Sequence, residues 1–114
     1  MSFMFYGCHS LTSIDLSNFN ISLVKDMSFM FLNCHSLESI DLSNFNTSLI
    51  TSMYSMFDYC YSLKSIDLFN FNNSLVISVN FMFSLFSNYH SLASIDLSNF
   101  NTSLFVNMSS MLYE

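Results

Sequence analysis

Apolar and polar positions along this chain follow two rhythms that alternate. In Leu11-Thr12-Ser13-Ile14-Asp15-Leu16 the period is two. Ile14 and Leu16 fall on one side, and Ser13, Asp15 and Ser17 on the other, as in a strand with one dry and one wet face. In Met27-Ser28-Phe29-Met30-Phe31 the apolar residues recur at i, i+3 and i+4. That spacing predicts one or two helical turns with a single apolar stripe. The same rhythm returns in Met53-Tyr54-Ser55-Met56-Phe57, Val79-Asn80-Phe81-Met82-Phe83 and Met108-Ser109-Ser110-Met111-Leu112, and in short form at Met4-Phe5. A Met/Phe stripe of this kind reads as core. Between the two rhythms stands Asn-Phe-Asn, at Asn18, Asn44, Asn70 and Asn99. The chain must turn there, yet it has no proline and a single glycine, Gly7. Asparagine is the next best residue for left-handed backbone and for bonding its own backbone.

The alternation is a repeat. The phrase Ser-Leu-x-Ser-Ile-Asp-Leu-x-Asn-Phe-Asn begins at Ser10, Ser36, Ser62 and Ser91, and its leucines Leu11, Leu37, Leu63 and Leu92 are 26, 26 and 29 residues apart. Strand, Asn-rich turn and short helix within about 26 residues match one coil of a leucine-rich repeat. The expected fold is therefore an α/β solenoid, a stack of about four 26-residue coils forming one unit over residues 1–114. Its parallel strands should lie near 11–16, 37–42, 63–68 and 92–97, with the sheet on the concave face and helices on the other. The consensus Asn/Cys slot holds Phe19, Phe45, Phe71 and Phe100, which predicts a phenylalanine spine. The third unit is degenerate: Phe69 replaces Ser, Val79 replaces Met, and Ser84-Leu85-Phe86-Ser87-Asn88-Tyr89 carries a three-residue insertion. Any function of such a stack lies on a repeated surface rather than in a unique pocket.

The paired phrases Ser-Leu-x-Ser-Ile-Asp-Leu-Ser-Asn-Phe-Asn-Thr-Ser and Met-Ser-x-Met-Phe-x-x-Cys-x-Ser-Leu recur in register over essentially the whole chain. In them the sequence resembles the BspA-like leucine-rich-repeat surface proteins, whose repeat is also known as the mycoplasma-type lipoprotein repeat of unknown function. The resemblance implies a non-enzymatic module at the cell surface or outside the cell, which binds other proteins or host surfaces. It implies no catalytic residue. A structural scaffold, or a repeat fragment with no independent activity, is the alternative. The chain opens and stops inside helical phrases, with no capping unit. The expectation is thus a piece of a longer array, prone to end-to-end self-association.

Composition narrows the partners. Net charge is −6, with Lys25 and Lys64 the only basic side chains apart from histidine. Nucleic acid needs clustered Lys and Arg and is not expected as a partner; anionic lipid is disfavoured for the same reason. No apolar run is long enough for a transmembrane segment, and no signal peptide or anchor is visible. With 52% hydrophobic and 9% charged residues, disorder is excluded. Cys8, Cys34 and Cys60 share one repeat position, which Tyr89 takes in the fourth copy. Buried thiols explain them better than lipidation of Cys8 or a disulfide framework.

The candidate binding face is the wet side of the strands: Ser13, Asp15, Ser17, Ser39, Asp41, Ser43, Ser65, Asp67, Phe69, Ser94, Asp96 and Ser98. Asp15, Asp41, Asp67 and Asp96 form a ladder with rungs about 4.8 Å apart. Like charges at that spacing repel. Hydrogen bonds from Ser13, Ser39, Ser65 and Ser94 with solvent screening, attraction of a basic partner, or a calcium row each answer the repulsion, the first most simply. Phe69 is the large apolar group on this face and a candidate anchor. The pairs Cys8-His9 and Cys34-His35 have ligand chemistry, but neighbours in a strand or helix point apart and no Cys-x-x-Cys spacing occurs. Neither a metal nor a cofactor is expected. Ser, His and Asp are abundant only because the repeat multiplies them, so no hydrolase constellation is assigned.

Overall fold

The segment from Met27 to Cys34 shows how the chain folds. Successive backbone N–H groups there go alternately sideways and back. Met27, Phe29, Phe31 and Asn33 donate to the carbonyls of Ser52, Tyr54, Met56 and Asp58 in the next repeat, at 2.8–3.0 Å. Met30, Leu32 and Cys34 donate three residues back, to Met27, Phe29 and Phe31. The pattern recurs one repeat earlier, where Phe3, Phe5 and Gly7 donate to Ser28, Met30 and Leu32, and one repeat later, where Met53, Ser55 and Phe57 donate to Ser78, Asn80 and Met82. Such a segment is a run of tight turns stitched to its neighbour. It is not a helix, because half of its donors are spent across repeats.

Backbone conformation fits that account. Phe3, Phe29, Ser55 and Phe81 occupy equivalent positions at φ of 60°, 60°, 50° and 54°. Gly7, Asn33 and Tyr59 form a second such row at 70°, 64° and 61°. The left-handed region interrupts a right-handed helix and costs a non-glycine residue about 1–2 kcal/mol. Left-handed backbone thus falls in the Met/Phe phrase, whereas the sequence pointed to the Asn-Phe-Asn turn for it.

The computed structural model describes residues 1–83, 92–96 and 99. Among them there is no helix, and the strands are β1, Ser65–Asp67, and β2, Ser94–Asp96. The two pair in parallel, with Ser65 opposite Ser94, Ile66 opposite Ile95 and Asp67 opposite Asp96. Elsewhere the ladder shrinks to single links: bridges join Asp26 to Ser52 and Ser52 to Ser78, and Glu38 N–H donates to Thr12 and Lys64 N–H to Glu38. With principal extents of 33 × 31 × 23 Å, the body is small and compact.

These findings correct the expected α/β leucine-rich-repeat solenoid of four strand-and-helix coils. The helices expected at Met27, Met53 and Val79 are turn runs. The strands expected near 11–16 and 37–42 do not form, and among the described residues those expected near 63–68 and 92–97 are the three-residue strands β1 and β2, residue 97 lying outside the described residues. An i, i+3, i+4 apolar pattern is equally the pattern of three-residue turns, and periodicity alone does not separate them. The helix expected at Met108 and the loop bulge expected from the insertion at 84–89 lie outside the described residues.

Side chains at equivalent positions meet across repeats. Phe5, Phe31, Phe57 and Phe83 form a continuous ring column, with centroids 5.2, 5.6 and 5.6 Å apart and planes within 11° of parallel. Met27, Met30, Met53, Met56 and Met82 share one buried core with it, as do Leu37, Leu63, Leu16, Leu42 and Leu68. Phe45 and Phe71 are buried and Phe19 is partly buried against the core. Among the described residues the Asn/Cys slot therefore does hold core phenylalanines, Phe100 lying outside them, but the stacked column is built from the Met-Phe phrase. Cys34 and Cys60 are buried thiols; each Sγ donates to a carbonyl of the preceding repeat, Phe5 and Phe31, at 3.1 Å.

Candidate functional site

The period-two phrase places its polar residues outward as its alternation requires. Ser13, Asp15, Ser17, Ser39, Asp41, Ser43, Ser65, Asp67, Phe69, Ser94 and Asp96 are all exposed; Ser98 lies outside the described residues. The paired register of β1 and β2 sets Asp67 beside Asp96.

Asp15, Asp41 and Asp67 are held from the residue two places ahead. Asp15 Oδ1 accepts from the backbone N–H of Ser17 at 2.9 Å, Asp41 Oδ1 from Ser43 at 2.9 Å, and Asp67 Oδ1 from Phe69 at 2.8 Å. Each closes a turn two residues ahead, the local bond that Asp and Asn side chains make best. The device recurs at the next bend, where Asn20, Asn46 and Asn72 Oδ1 accept from Ser22, Ser48 and Ser74 N–H at 3.0–3.1 Å. A third row uses Asp26 Oδ1 for Ser28 N–H at 2.8 Å and Ser52 Oγ for Tyr54 N–H at 3.4 Å. Side-chain oxygens thus do the work that glycine and proline do in other turns.

This bonding tunes the acids. The N–H of Ser17, then its hydroxyl, hold the Asp15 carboxyl below the ordinary carboxylate range. The hydroxyl of Ser43, then its N–H, lower that of Asp41. At Asp26 burial pushes upward, but Ser28, Ser2 and the N-terminal charge together outweigh it and the carboxyl is lowered. A carboxyl lowered on folding stabilises the fold fully above its unfolded value, near 4. That contribution is lost as pH falls through the folded value. The melting temperature should therefore fall as pH drops below about 4. Asp15→Asn with Asp41→Asn should flatten the fall, because the amide oxygen still closes the turn and does not titrate. Equal slopes in wild type and variant, from melts between about pH 2 and 6, would refute this account.

The remaining chemistry is sparse. Among the described residues no three His, Cys, Asp or Glu side chains gather to hold a metal ion, and the Asp ladder shows no calcium cage. The neighbouring Cys34 thiol, then burial, push the Cys60 thiol far up, the opposite of an activated nucleophile. Lys64 pairs with Glu38 at the exposed surface, a contact worth about 0–1 kcal/mol.

Two features escaped sequence reasoning. Leu23, Leu49 and Leu75, 26 residues apart, are exposed at 84%, 38% and 47%, and Ile77 is exposed too. His9 and His35 meet across repeats, where the sequence directed attention to each Cys-His pair.

Residues 1–114 match the family model described as Mycoplasma protein of unknown function, DUF285. No curated protein and no solved structure matches the chain significantly.

Proposed function

Because the chain belongs to this Mycoplasma family of unknown function, we propose a role by surface rather than by pocket. It is a non-enzymatic protein-interaction or adhesion module, of the BspA-like repeat surface proteins with which the family is commonly associated. It acts at the cell surface or outside the cell and binds a protein or host surface through the polar strand face.

The observation that carries this reading is the row of exposed carboxylates Asp15, Asp41, Asp67 and Asp96 beside Phe69, an aromatic 52% exposed. Each of the first three is fixed by a backbone N–H, so the charges are presented without the entropy cost of ordering them on binding. A preset acidic row steers a basic partner, and an exposed aromatic beside it supplies the apolar anchor that hot spots use.

The test is surface binding of the chain to a panel of basic and extracellular-matrix proteins at low and moderate salt. Asp15→Asn, Asp41→Asn and Asp67→Asn together should slow association and remove the salt dependence. Phe69→Ser, which restores the residue of the other repeats, should speed dissociation about tenfold or more. Binding that neither change alters would sink the reading and favour a structural scaffold.

A further inference from the structure

His9 and His35 are one repeat apart, and their exposed imidazole rings stack with centroids 4.9 Å apart and planes at 36°. We propose that this pair is a surface site for a divalent transition metal ion of the nickel and zinc class, held by one ring nitrogen from each histidine with water completing the coordination.

The hydrogen bonding of His9 prepares it for the task. Its Nδ1 lies 3.0 Å from the backbone carbonyl oxygen of Asn33. A carbonyl only accepts, so Nδ1 carries the proton and Nε2 carries the lone pair. One ring N–H on a backbone carbonyl, with the other nitrogen left for the ion, is how metal-ligating histidines are oriented. No hydrogen bond fixes the His35 ring among the described residues. Its neighbours are the rings of His9 and Tyr61, the latter at 5.2 Å. It therefore has freedom to turn its lone pair toward a shared ion.

The surroundings select the class of ion. Cys34, next to His35, is buried and bonded to a carbonyl, so the ligand set is imidazole and water rather than thiolate. Imidazole suits nickel, zinc and copper, where thiolate selects softer ions. A chain of net charge −6 draws cations to its surface. Two protein ligands are fewer than the four of a structural zinc site, so the ion exchanges and the fold does not depend on it.

Calorimetric titration of the untagged chain with Ni²⁺, then with Zn²⁺, tests the site. The variants are His9→Tyr, His35→Tyr and the double variant. Tyrosine keeps the ring stack, as Tyr61 does one repeat on. One equivalent should bind to the wild type. Each single variant should weaken binding about tenfold or more, and the double should add little, because both rings hold one ion and their losses do not add. Unchanged affinity in either single variant, or losses that simply add, would overturn the shared site. Loss with Cys8→Ser alone would place the ion on the thiol and overturn it equally.

Discussion

Phe57→Ala should cost about 3–5 kcal/mol, the usual range for removing a fully buried aromatic. At roughly 4–8 °C per kcal/mol for a domain of this size, the melting temperature should drop by about 12–40 °C. Phe57 has no exposed surface and lies between Phe31 and Phe83, each at 5.6 Å, with planes at 0° and 9°. Truncation opens a cavity in the middle of the ring column and breaks two stacked pairs, each worth about 0.5–1.5 kcal/mol beyond area. Leu23→Ala, at the exposed leucine position, should stay within about 0.5 kcal/mol. Thermal melts of both variants decide the matter. A Phe57→Ala shift as small as that of Leu23→Ala would mean the column is not the core.

Ser55 gives the second large effect, and it carries a sign. At φ 50° its N–H donates to the Asn80 carbonyl at 3.0 Å. Proline cannot take that φ and has no donor, so Ser55→Pro should cost about 3 kcal/mol or more. Glycine takes the left-handed region freely, so Ser55→Gly should stabilise by about 1 kcal/mol. In a helix the same glycine would destabilise by a similar amount. Chemical denaturation of the two variants therefore separates the turn run from a helix by direction alone. A less stable Ser55→Gly would contradict the backbone described here.

The sequence revealed which residues are equivalent but not what they bond. The 29-residue step from Leu63 to Leu92 reappears as the pairing of Ser65 with Ser94. Alternation placed Ile66 and Leu68 inward and Ser65 and Asp67 outward, as found. The burial of Cys34 and Cys60 was legible from their shared repeat position and the usual burial of free thiols, whereas Cys8 at the same position is only partly buried. The helices were misread because Met27, Met30 and Phe31 line one side of a turn run as well as they line a helix. What decides between them is whether the N–H of Phe29 finds a carbonyl four residues back or in Tyr54, and a one-dimensional pattern does not encode that. The Asp ladder was legible as a row of charges. Its local role, one oxygen closing the turn at Ser17, Ser43 or Phe69, was hidden because it depends on a bend whose type the sequence left open. The contact between His9 and His35 was hidden for a related reason: it joins two repeats, and spacing rules are written for residues close in sequence.

The sameness of the rows carries a hazard during folding. A carbonyl in one repeat is chemically indistinguishable from its counterpart 26 residues away, and Phe31 meets Phe57 as it would meet Phe83. Pairing that skips a repeat, or recruits one from another chain, forfeits little more than the contacts of the skipped row. Such degeneracy is the physical origin of register error and strand exchange. The third repeat breaks it. Phe69 stands where the others have Ser, Asn73 is buried where its counterpart is Thr47, and Val79 fills the place of Met53. These irregular residues mark one row as unlike the rest, so each row can find its own neighbour.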